Sequence, residues 1–254
     1  MKSSFGPEHL ALFSDIHGRE LAELVANTDA AVFKQRVPPT WLELVARPDG
    51  NGVRAIWEPA ASQLPRFVSY LAGSVQGAAM IEVHGLPVLL LALPDWRAST
   101  FDLSPGFCWM GVPTRDECLE QAVAEFGPIP ASLEQLWRVT NFITLKDRSM
   151  LCSLHPESHP MAERPVVLPA LPDTNVPEDV NECLQIAVVN DQMVTCMTRH
   201  PGQQPWNDIL VLRFRRTHEL SSAVRIHLDD KLADWTFVDW SPADATTSDL
   251  PVSR

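Results

Sequence analysis

The stretch AAMIEVHGLPVLLLAL, Ala78 to Leu93, decides the fold class. Its first half holds apolar residues up to Glu82, and its second half, from Leu86, is apolar throughout. Between them stands His84-Gly85, a short link with the glycine that tight hairpins favour. The pattern predicts two strands joined near His84-Gly85. The second shows no polar alternation, so it has no face to give to water and must be central or covered on both faces.

Working outward, helical signals surround this hairpin. RELAELVAN (Arg19 to Asn27) places apolar residues at helical spacing. PTWLELVA offers Thr40 and Glu43 as a capping box. Pro48-Asp49-Gly50-Asn51-Gly52 reads as a turn and VRAIW after it as a strand. LPRFVSYLAGSVQG reads as a helix with Pro65 near its first turn. Downstream, Thr114 and Glu117 form a second capping box. The helix DECLEQAVAEFG follows, with Cys118, Leu119, Ala122, Val123 and Phe126 on one stripe and a stop at Gly127-Pro128. IPASLEQLWRVTN is another helix, carrying Leu133, Leu136, Trp137 and Thr140 at matching spacing. The six prolines between His155 and Pro177 predict an extended surface connection, because proline fixes φ and cannot donate. ECLQIAVVN and QMVTCMTR then read as strands meeting at Asn190-Asp191, and DILVLRFRR as a third. LADWTFVDWSP suits a short closing helix, followed by a polar tail from Ala243.

The fold class is therefore α+β: a mixed sheet packed with helices, in two subdomains. A boundary is expected near residue 113, giving an N-terminal α+β subdomain over 1–113, a second domain over 114–242 and a tail over 243–254. Charge divides the same way. The chain of 254 residues carries a formal net charge of −12. Residues 1–113 hold 8 Lys+Arg and 11 Asp+Glu, net −3; the remainder holds 12 and 21, net −9. A surface this acidic argues against non-specific binding to nucleic acid or to an anionic membrane. The N-terminus shows no sustained apolar run of a secretory signal. LPVLLLALP is far short of the roughly 20 residues a membrane span needs. The five scattered cysteines form no disulfide framework, so a cytoplasmic chain with reduced, mostly buried thiols is expected.

Catalytic signals are few. FSDIHG (Phe13 to Gly18) resembles the opening of calcineurin-like metallophosphoesterases, where an Asp-x-His at the end of a first strand binds one of two metal ions. That family continues with Gly-Asp-x-x-Asp and Gly-Asn-His. Here DAAVFKQRVPP and the bare GNG of Gly50 to Gly52 stand instead. Asp15 then reads more simply as the cap of the helix starting near Gly18. A divergent metal-dependent phosphoesterase using Asp15 and His17 remains an alternative. Cys152, His155 and His159 fall at ligand-like spacing, but no second pair completes four ligands. There is no Gly-x-Ser-x-Gly and no phosphate-cradling glycine loop. Arg213, Arg215 and Arg216 read as a solvated strand edge, and the tryptophans as core. No cofactor, metal or catalytic residue is expected.

FGPIPASLEQLWRVTN resembles the start of SUKH (SMI1/KNR4-like) domains, where a helix, a Pro-containing turn and a second apolar helix precede an Asn. LQIAVVNDQMVTCM looks like that family's strand pair, NDILVLRF like its next strand and WTFVDW like its closing helix. The resemblance spans roughly Thr114 to Trp240. It implies binding: many bacterial SUKH proteins are immunity proteins that neutralise a toxin, often a nuclease. Acidic charge would suit such a basic partner independently, by speeding encounter and matching its field. Asp229, Asp230, Asp234 and Asp239 are the candidate contact carboxylates. An adaptor or scaffold role is a further alternative.

Overall fold

The computed structural model describes residues 3–93, 106–144, 150–151, 166–168, 182–190, 193–199, 208–214, 220–226, 228–229 and 232. They form α-helices and two antiparallel sheets, an α+β arrangement.

The quoted stretch forms the predicted hairpin. β1 (Gly77–Val83) pairs with β2 (Leu86–Ala92) in a register that runs from Gly77↔Ala92 to Val83↔Leu86. His84 and Gly85 both take positive φ, 50° and 81°, as a two-residue turn matched to strand twist requires. β3 (Phe107–Gly111) pairs with the other side of β2, which is thus central. Its apolar run is explained by burial on both faces. Ala78, Met80, Leu89, Leu91, Cys108 and Met110 point into one core. Ala79, Ile81, Val88, Leu90, Phe107 and Trp109 alternate with them into a second. Residues 141–144 run along β3 through Gly111 N–H to Phe142 O at 3.0 Å and Thr144 N–H to Trp109 O at 2.9 Å.

Helices cover both faces. α1 (Pro7–His17) and α2 (Arg19–Asn27) supply Phe13, Ala22 and Val25 to the second core. Gly18, at φ 90°, separates them. α3 (Pro39–Ala46), α4 (Gly50–Trp57), α5 (Pro65–Ser74), α6 (Asp116–Phe126) and α7 (Ala131–Val139) cover the first.

The second sheet is a meander. β6 (Glu182–Asn190), β7 (Met193–Arg199), β8 (Asp208–Phe214) and β9 (Leu220–Ile226) follow in spatial order. β4 (Met150–Leu151) and β5 (Val166–Leu168) both pair with β6. β5 lies within the proline-rich tract as a three-residue piece between Pro165 and Pro169; the rest of that tract lies outside the described residues. So do most of LADWTFVDWSP and the tail. Leu184, Ile186, Met197, Leu228 and Leu232 join the first core together with residues of α3 to α7. That core runs across residue 113 without interruption, since Leu119, Leu136 and Trp137 share it with Trp41, Trp57 and Leu89.

Several local expectations are corrected. VRAIW is the body of α4, not a strand, because Asp49 caps the helix by accepting from Gly52 N–H at 2.8 Å. Neither expected capping box forms. α3 starts at Pro39, one residue before Thr40, since proline's fixed φ suits a first helical position. α6 starts after Arg115, and the buried Thr114 is tied instead to α7, its N–H donating to Trp137 O at 2.9 Å. Val123, expected on the buried stripe, is 40% exposed.

Candidate functional site

Of the four candidate carboxylates, Asp229 is placed by the structure; Asp230, Asp234 and Asp239 lie outside the described residues. Asp229 follows β9 and reaches back to α5. Its Oδ1 accepts from Phe67 N–H at 2.9 Å and its Oδ2 from Arg66 N–H at 3.0 Å. These amides belong to the first turn of a helix, where no earlier carbonyl can serve them. Both oxygens of Asp229 are thus committed to a helix start 162 residues away along the chain.

Asp15 and His17 do not stand at a strand end. The whole stretch from Leu10 to His17 is helical, launched by Pro7 and by His9 Nδ1 accepting from Gly6 N–H at 3.2 Å. Two residues apart on a helix are roughly 200° apart around its axis, so the pair diverges instead of converging on one ion. Asp15 is exposed. The His17 ring lies 4.5 Å from Phe13 and 5.1 Å from Trp109, centroid to centroid. Nor does Asp15 cap α2: Gly18 occupies that position and no side chain bonds there. Among the described residues no three His, Cys, Asp or Glu side chains are grouped to hold a metal. Cys152, His155 and His159 lie outside them.

The thiols are set deep. Cys108, Cys118 and Cys196 are buried and in no disulfide. Burial pushes the Cys108 thiol up to about 12, so it stays protonated at neutral pH and is a poor nucleophile.

Among the described residues of the second part, most acidic side chains fall on α6, with Glu134 of α7 beside them. Between residues 116 and 126 there are four acidic and no basic residues. Amphipathic packing buries Cys118, Leu119, Ala122 and Phe126 and turns Glu117, Glu120 and Glu125 outward. At one end of this face Arg138 Nη1 donates to Asp116 Oδ1 at 2.6 Å and its Nη2 to Glu134 Oε1 at 2.9 Å. Those bonds, to Glu134 and then Asp116, raise the Arg138 guanidinium further above its ordinary range. Here a cation of the chain itself stands between two carboxylates. The acids at 116, 117, 120 and 125, without an intervening Lys or Arg, stand in the sequence, but that they share the outward side follows only from the buried one. The Asp229 cap had no local signal. No protein-family model, curated protein or solved structure matches the chain.

Proposed function

We propose that the chain is a binding protein: an immunity protein that neutralises a basic, nuclease-type toxin by stoichiometric occlusion, without turnover. The observation that carries this reading is the placement of charge. The net −9 of the second part includes an outward α6 face of Glu117, Glu120 and Glu125, free of interspersed Lys and Arg. A basic surface meeting it would gain encounter rate and register from the complementary field. The SUKH resemblance names the class of partner. No helix among the described residues is long and apolar enough to cross a membrane, and a cytoplasmic setting suits a protein that shields its own cell from such a toxin.

With Asp229 engaged at α5, α6 supplies further candidate contact carboxylates beside Asp230, Asp234 and Asp239. The experiment is co-expression with the toxin encoded by the neighbouring gene. Growth rescue by the wild-type chain, weakened in the triple variant Glu117→Lys, Glu120→Lys, Glu125→Lys, supports the proposal. Absence of rescue, with no complex at micromolar protein, refutes it.

A further inference from the structure

We infer that Leu228, Asp229 and Leu232 form a clip that makes the first turn of α5 conditional on the docking of the C-terminal segment. The residue before α5 is Leu64, whose apolar side chain cannot accept a hydrogen bond. Pro65, the first helical residue, has no N–H to satisfy. Val68 N–H is served by Leu64 O at 3.0 Å. That leaves Arg66 and Phe67, whose amides both donate to Asp229, at 3.0 and 2.9 Å. A helix that lacks its own cap thus obtains one from beyond the second sheet. A carboxylate is also well matched to the positive end of a helix.

What seats Asp229 there is apolar burial. Leu228 is 5% exposed and Leu232 1%. Both belong to the core that contains Leu64, Phe67, Val68 and Leu71 of the α5 region. The two leucines hold the clip in place and the carboxylate between them closes the helix start. This inference does not depend on the toxin reading, and its test needs no partner.

The test is amide hydrogen exchange on the full chain, resolved at Arg66 and Phe67, with the central strand residues Leu89 and Leu90 as internal reference. Asparagine keeps one acceptor oxygen and puts an NH2 donor in place of the other, so Asp229→Asn should keep protection at one of the two amides and lose it at the other. Asp229→Ala should speed them roughly tenfold, the size of a lost cap, while Leu89 and Leu90 stay slow. Leu232→Ala, which touches no cap atom, should also speed Arg66 and Phe67, because the clip loosens. Unchanged exchange at both amides in Asp229→Ala or in Leu232→Ala overturns the inference. If Asp229→Ala also loosens the reference strand, the Asn variant decides: one amide kept slow and the other fast supports the cap, and loss at both equal to that of Ala overturns it.

Discussion

Gly111 shows how tightly single residues are fixed. A Cβ there would lie 1.8 Å from Asn141 Oδ1 and 2.5 Å from the Phe142 ring. Asn141, 1% exposed, and Phe142 are held in place by the pairing of residues 141–144 along β3, so neither can yield cheaply. Gly111→Ala should destabilise by about 2 kcal/mol or more, as overpacked cores do; a shift in urea midpoint at unchanged slope is the measurement. Cys108 and Tyr70 make a second case. Burial pushes the thiol from 9.0 and the phenol from 10.0, each up to about 12. Above pH 9 the unfolded chain releases these protons first and therefore binds fewer than the fold, so stability falls with rising pH. The expected profile is flat from neutrality to about pH 8 and declines between about 9 and 12; Cys108→Ala should flatten part of that decline. None of these contacts could be read in advance. Gly111 meets Asn141 only because a strand pairing brings them together, and a sequence window sees neither partner.

At the scale of elements, the local physics that shows in a sequence was legible and the long-range physics was not. The β1–β2 hairpin, α2, α5, α7 and the β6–β7 pair all stand where spacing and turn residues put them. VRAIW misleads because four of its five residues are apolar or aromatic, which suits a buried strand; the deciding residue, Asp49, lies outside that window and by itself reads as part of a turn. LALFSDIH misled in the opposite direction. Its likeness to a strand-end metal motif concealed a helix whose phase is set by Phe13 packing on Phe107, 4.9 Å away between ring centroids. α6 was read correctly as an element, yet its acidic face emerged only once its buried side was known. The two aspartates make opposite predictions. Asp49→Ala removes a cap bond and should cost about 1 kcal/mol. Asp15→Ala removes none from α2 and should change stability by less than about 0.5 kcal/mol, as exposed substitutions do. Thermal melts of the two variants side by side check both.

For the whole molecule, the boundary expected near residue 113 marks a change of charge while the packing continues across it. Trp41, Trp57, Leu89, Leu119, Trp137 and Leu232 share one core. Unfolding should therefore be a single transition, with tryptophan fluorescence and far-ultraviolet circular dichroism coincident; two separated transitions would mean that the halves are energetically independent. The acidic surplus then sits on a scaffold that can present α6 as a fixed face. Such a face suits a partner bound mole for mole. The direct measurement is a titration of the proposed toxin, expected from the neighbouring gene, at micromolar concentration, following its residual activity. Occlusion gives a straight decline that reaches zero at one equivalent, with a complex of the same stoichiometry by calorimetry. Complete inactivation at a small fraction of an equivalent would mean turnover, and activity unchanged at excess would mean no engagement; either result contradicts binding as the function.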